Sequence, residues 1–350
     1  MNYVDLHLEL LTPAFLAGAN QHEVELRAAS IKGLLRWWWR ASEGHRFPNP
    51  AELARAEAGV FGSAEMKLKS PLQVGVEMLS RGDPVIARGT NAPTSSAEYS
   101  YQRRERDGGI RSGKAQALHY LGYGPIRLPS REEREAAEAG RDPALLGPNK
   151  RAKEGVVYIR PAFEPGTRLK VRFAWRDGVL SDDQQNQLLR ACGGWLALGG
   201  LGCRSRKGFG SLQLLEPVAA SDPHLAERVA NRIRKAIKIY RSQGEQLPGP
   251  LPKWPQLRFR QILHETTPKS SWEEALGALA LEYRKLRPRI KDRERRFICG
   301  EANPRRASSV FLSVHRNEQS FVGIMVALPC WKDEAMEARS SWTSFFDRRV

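Results

Sequence analysis

Residues 4–13, VDLHLELLTP, alternate without a break: Val4, Leu6, Leu8 and Leu10 fall on one side, Asp5, His7 and Glu9 on the other. A period of two over this length is a half-buried strand, ended here by Thr12–Pro13. Such a strand leaves one apolar sheet face that other elements must cover. The segments that follow supply the cover. Residues 30–41 and AELARAEAGVFGS (51–63) read as helices, the second closing near Gly59–Gly62, and PLQVGVEML (71–79) returns to alternation. Further on, 155–176 reads as one or two strands, 181–200 as a helix with Ser181 or Asp182 as N-cap, and FGSLQLLE (209–216) as a closing strand. The order β-α-β-(insert)-β-α-β is the ferredoxin-like arrangement, the topology that RNA-recognition modules also use.

The insert, about 80–154, is rich in Gly, Pro, Ser, Arg and Glu and shows little periodicity. It reads as a long excursion of partly mobile loops with a short helix near 130–140. Beyond a boundary near 222 come a basic helix (224–242), a Pro-rich link (248–255), strand 257–263, helix 271–286, strands 309–315 and 321–328, and a final helix at 332–346. The expected fold class is α+β, with two ferredoxin-like (RRM-like) domains. The first spans 1–217 and carries the insertion; the second, over 222–350, is degenerate. A chain of 350 residues accommodates both.

Lysine and arginine number 56 against 39 acidic residues, a formal charge of +17. That surplus favours polyanionic partners, nucleic acid before an anionic membrane. No apolar run reaches the ~18–20 residues that span a bilayer, and MNYVDLHLELL lacks the basic-then-apolar layout of a signal peptide. A cytoplasmic protein without a membrane partner is expected. Cys192, Cys203, Cys299 and Cys330 lie far apart and the seven histidines are scattered. This gives no zinc-ligand spacing and points to free thiols, with no metal or cofactor.

Two stretches stand out. Wound as a helix, SIKGLLRWWWR (30–40) places Ile31, Leu34, Leu35, Trp38 and Ala41 on one apolar stripe. Lys32, Arg36 and Arg40, at i, i+4 and i+8, form a separate basic row with Gly33 beside it. Ser30 is positioned to cap the first turn, where free N–H groups near Lys32 and Gly33 add to an anion site. Trp39 borders the basic row, where it either stacks on a base or packs Arg36; Trp37 and Trp38 read as core. The second stretch, LGGLGCRSRKGFGSL (198–212), brackets Arg204, Arg206 and Lys207 with five glycines, and no acidic residue occurs from Gln184 to Leu215. Glycines let a backbone approach a ligand and expose N–H groups, while the cations add charge. The loop is neither a P-loop nor a dinucleotide fingerprint.

Taken together, the early strand ending in T-P, R-x-x-S-I-K-G-L-L-R-x-W-W-R-A (Arg27–Ala41) and G-G-L-G-x-R-S-R-x-G-F-G-S (Gly199–Ser211) resemble the RAMP superfamily of CRISPR RNA-binding proteins. YLGYGP (Tyr120–Pro125) adds to a likeness that is greatest to the first-numbered subunits of type III-B (Cmr) effector complexes. The resemblance implies a non-catalytic RNA-binding subunit of an antiviral ribonucleoprotein, near the 3′ end of the guide RNA at the head of the assembly. Its implied partners are guide RNA (crRNA) and single-stranded target RNA, other Cmr-type RAMP subunits and the large subunit. The RNA contacts it implies are Arg27, Lys32, Gly33, Arg36 and Arg40, with Gly202, Arg204, Ser205, Arg206 and Lys207. Cys203 departs from the family's usual small residue without blocking that role. The basic run Arg103, Arg104, Arg106, Arg111 and Lys114 reads either as a flexible arm on target RNA or as a solvated loop.

Two other functions are open at this level. Some relatives in that superfamily cut CRISPR repeats without a metal, using a histidine, and His22 lies near Glu23 and Glu25. The chain also reads as a mainly structural capping subunit. Asp182–Asp183, at a helix start, complements the helix dipole rather than forming an active site.

Overall fold

The structure is a computed structural model that describes residues 1–104, 108–127, 139, 156–246, 254–289, 301–302, 305–306 and 308–328. Apart from residue 139, the helices expected near 130–140 and at 332–346 lie outside the described residues, as do Arg106, Cys299 and Cys330. In chain order the strands are β1 (Asn2–Leu10), β2 (Gln73–Met78), β3 (Val85–Ile86), β4 (Glu98–Arg104), β5 (Ile110–Gln116), β6 (Ile126–Arg127), β7 (Val157–Tyr158), β8 (Ala162–Phe163), β9 (Arg168–Trp175), β10 (Leu212–Ala220), β11 (Gln261–Glu265), β12 (Glu301–Ala302), β13 (Arg305–Arg306), β14 (Val310–Asn317) and β15 (Ser320–Ala327). The helices are α1 (Ala28–Glu43), α2 (Pro50–Phe61), α3 (Ala117–Leu121), α4 (Asp182–Leu198), α5 (Pro223–Tyr240) and α6 (Trp272–Arg289).

The chain is mixed α/β with antiparallel sheets. The first sheet has the order β10-β1-β9-β2, and the second β11-β15-β14. In β1 Val4, Leu6, Leu8 and Leu10 are fully buried, in one core with residues of α1 and α4, while Asp5 and Glu9 of the other side are buried as well. Trp38, Trp39 and Trp195 complete this core. Each fully buried tryptophan contributes up to about 4–6 kcal/mol by area, an upper bound because the unfolded chain is partly compact. Helix α4 opens with exposed polar residues, but its second half, Ala191–Leu198, is apolar and buried all round, as suits a segment enclosed on every side. The core that it shares with the first sheet also contains Phe311, Val322, Ile324 and Val326 of the second. Helix α6 covers the other face of the second sheet through Ala275, Leu276, Leu279 and Tyr283.

Several boundaries differ from expectation. Helix α1 begins at Ala28 with an extended Arg27 at its N-cap and no side-chain cap, so Ser30 sits inside the first turn and caps nothing. Ser181 does cap α4, in a full capping box with Gln184. Residues 98–104 and 110–116 pair as antiparallel strands and are not loops; Tyr99 and Tyr101 carry a period of two that the surrounding arginines and glycines obscure. The strand expected at 257–263 starts only at Gln261. Ahead of it, the buried Arg260 donates to Tyr240 O (3.0 Å) and Leu257 O (2.9 Å), holding 257–260 in a turn against the end of α5.

Candidate nucleic-acid interface

The basic row on α1 forms, but its charges turn toward the protein. Glu57 occupies a core-facing position of α2 beside Leu53 and Val60, and is 4% exposed. Arg36 Nε donates to its Oε1 at 2.5 Å, and Arg40 grips both oxygens, with Nη2 at 2.8 Å from Oε1 and Nε on Oε2. Burial alone pushes the Glu57 carboxyl up, but the hydrogen bonds and charges of Arg40 and Arg36 outweigh it and hold it below the usual carboxylate range. Lys32 donates to Ser70 Oγ (2.6 Å) and Leu72 O (3.3 Å). Its ammonium is pulled below the usual lysine range by burial first and then by Arg36. Gly33 faces open space, and Arg27 lies 3.9 Å from Glu25. Trp39 is fully buried, with Nε1 donating to Gln187 Oε1 at 3.2 Å. It belongs to the core and has no face to offer a base, which corrects the stacking expectation.

The glycine loop is likewise built into the molecule. Gly202 (φ +80°) and Gly210 (φ +69°) adopt the left-handed region that favours glycine, and a side chain on either would strike backbone of Phe15 or Leu201. Arg204 also has positive φ and donates to Tyr123 O, within the YLGYGP segment. Arg206 donates to Ser308 O (2.7 Å) and lies 4.9 Å from the ring centres of both Trp37 and Phe311. Lys207 donates to Tyr283 OH and sits 3.7 Å over its ring. Cys203 N donates to Phe15 O (2.9 Å), its side chain packs against the second core, and Ser205 is half-buried. The loop thus joins the end of β1, α1, α6 and β14. Arg206, stacked beside Trp37, brings it to α1, so the two sequence motifs do meet in space.

The other face of the first sheet, where Asp5 and Glu9 are buried, is laced with ion pairs instead of aromatic platforms. Asp5 is held by Arg172 at 2.6 and 2.7 Å, Arg316 of β14 reaches Glu9 at 2.5 Å, and Arg172 lies 4.6 Å over the Tyr3 ring. An RNA-recognition module stacks bases on this face; here charged pairs occupy it. The ring of His22 meets the guanidinium of Arg88. In the basic run, Arg103, Arg104, Arg111 and Lys114 lie on the β4–β5 pair.

Glu57 is the residue that sequence reasoning missed. Its signal was present: a glutamate on the Leu53–Val60 stripe of an amphipathic helix has to find cations.

Both motifs fall within residues 7–213, which match the profile of the RAMP superfamily. The chain belongs to the RAMP superfamily. Within that superfamily it is 39% identical over 77 residues to the CRISPR system Cmr subunit Cmr1-2 of Pyrococcus furiosus, a stretch covering 22% of this chain and 41% of that protein. The match thus spans under half of that relative's length. The RAMP fold seen here is similar to that of Cmr1 from Pyrococcus furiosus, with a TM-score of 0.53 and 22% identity over 99% of this chain and 93% of that one. It is also similar to a chain of a type III-B Cmr-beta complex bound to cognate target RNA, with a TM-score of 0.54 and 12% identity over 94% and 96% of the two chains. No helix among the described residues is long and apolar enough to cross a membrane.

Proposed function

We propose that this RAMP protein is a non-catalytic RNA-binding subunit of a type III-B CRISPR-Cas (Cmr) ribonucleoprotein, placed at the guide RNA 3′ end and the head of the complex. There it helps capture guide and target RNA for antiviral defence, beside other Cmr-type RAMP subunits and the large subunit. The observation that carries this reading is the backbone likeness to Cmr1 along 99% of the chain. The net charge of +17 supports it, because polyphosphate binding rests on accumulated cations. In chain order the first sheet reads fourth-first-third-second and the second sheet first-third-second. Both orders support two ferredoxin-like units, the second incomplete. Arg27, Lys32, Gly33, Arg36, Arg40 and the 202–207 loop remain the proposed RNA contacts of this subunit, the paired arginines acting through their exposed edges.

One observation favours an added capping role. Ile110 and Tyr123 are 73% and 71% exposed, Tyr123 beside Arg204 of the loop, and suit contact with a protein neighbour. The direct test is to purify the tagged protein from its host and sequence the RNA that survives nuclease. Guides sharing a 5′ tag, together with other RAMP subunits, are expected; a diverse RNA pool without those subunits would sink the proposal. Incubation of the purified chain with repeat RNA should leave it intact, and cleavage abolished by His22→Ala would reverse the non-catalytic reading.

A further inference from the structure

Helix α5 is a second basic helix, and its charges are disposed differently. Asp222 caps it by accepting from Leu225 N (2.9 Å), and Pro223 opens the first turn. Leu225, Val229, Ile233, Ala236 and Tyr240 are buried against α4 and the first sheet. The outward side carries Arg228, Arg232, Arg234, Lys235 and Lys238, all exposed. Arg234 is paired with Glu216 at 2.7 Å, and Arg228 reaches Gln185 Oε1 at 3.4 Å. Arg232, Lys235 and Lys238 have no carboxylate partner among the described residues. Arg228, Arg232 and Lys235 lie within a sector of about 60°, Lys238 lies about 60° beyond it, and the four follow one another along the axis at steps of about 4.5–6 Å. The stripe ends at Ile239, on the rim of a cleft of about 660 Å³ where the part-exposed guanidinia of Arg46, Arg190 and Arg258 are paired with Asp183, Glu43 and Glu245. That volume is in the range of sites that enclose small ligands.

We propose that the outward face of α5 is a contact surface for the phosphodiester backbone of single-stranded RNA, separate from α1 and the glycine loop. This rests on the RNA-binding reading above and locates part of it. The face fits a phosphate chain better than an acidic protein. Protein interfaces centre on buried apolar and aromatic anchors, and the outermost side of α5 exposes one large apolar residue, Ile239. A row of unpaired cations at near-regular spacing needs only charge opposite it. Helix α4 lies between α1 and α5, packing against both, so the two basic helices stand at opposite ends of one helical layer.

The test compares the full chain with R232E/K235E/K238E, using fluorescence anisotropy of labelled oligouridylate across a salt series, with thermal melting as the control. With three phosphate-facing cations reversed, the slope of log K against log salt should shrink by about 2, at roughly 0.7 per phosphate on single strands. Affinity at low salt should fall at least tenfold, and melting should hold. Should the reversal fail to fold, R232Q/K235Q/K238Q gives the same reading with smaller effects. Unchanged affinity and slope in a folded variant, with tight binding by the parent chain, would overturn the α5 surface and leave RNA binding standing. Failure of the parent chain to bind the RNA would remove both. Retained RNA binding with lost competition by polyglutamate would overturn the proposal in favour of an acidic protein partner.

Discussion

The cations of α1 and of the glycine loop are committed inside the molecule, whereas those of α5 face water. On α1, Arg36 and Arg40 share one buried carboxylate, and Lys32 is tied to Ser70 and Leu72. In the loop, Arg206 and Lys207 hold Ser308 and Tyr283. On α5, Arg232, Lys235 and Lys238 lack an acidic partner among the described residues. Three basic stretches of similar composition thus differ in kind. Substitutions in the first two should register as lost stability before they register as lost RNA, and those on α5 should do the reverse.

The largest effect is expected in the loop. Gly210→Ala places a Cβ against the Leu201 backbone at φ +69°. It should destabilise by about 3 kcal/mol or more, the sum of strain and collision, read from denaturant unfolding. Unfolding like the parent chain would mean that the loop yields easily and that its glycines serve a ligand instead.

Next comes Glu57→Gln. Both arginines are part-exposed and rehydrate, so the loss should be about 1–3 kcal/mol despite the buried position. The same change frees two cations. Stronger RNA binding in this variant would place α1 on the RNA path beside α5, and unchanged binding would confine α1 to a structural role.

The smallest effect concerns how α5 is anchored. Just past its end, Arg241 Nη2 lies 2.6 Å from Nδ1 of the buried His315 of β14, whose Nε2 lies 3.0 Å from Ser313 Oγ. Burial and the Arg241 charge hold the imidazole well below its usual range. Burial also pushes Arg241 down to about 10, against the opposing charge of Glu265. The unfolded imidazole takes up a proton as pH falls through about 6.5 and the folded one does not. Stability is therefore full above that pH and declines below it, by at most about 1.4 kcal/mol per pH unit. Unfolding measured from pH 7.5 to 5 should show the decline, and His315→Gln should flatten it; equal slopes in both proteins would mean that His315 titrates freely in the folded state.

Much of the fold was legible because periodicity is local. The alternation of β1, the 3.6-residue stripe of α1 and the Ser181 cap of α4 all follow from neighbours within a few positions. The β4–β5 pair was hidden because its strands are basic and mostly polar, so that period-two alternation carries little hydrophobic contrast. Trp39 was misplaced because its angular position on α1 lies at the edge of the apolar stripe. Whether an edge residue is covered depends on α2 and α4, which enclose it through Phe61 and Gln187.

The sequence by itself determined the main elements outside the insert, their order, the surplus of positive charge and the two motifs that mark a RAMP protein. Only the tertiary structure decided which of those charges are free. Arg36 finds Glu57 at 21 residues' separation, Lys207 finds Tyr283 at 76 and Arg206 finds Ser308 at 102. Charge is a property of a side chain, but its availability depends on desolvation and on partners brought together by folding, and neither is written in local spacing.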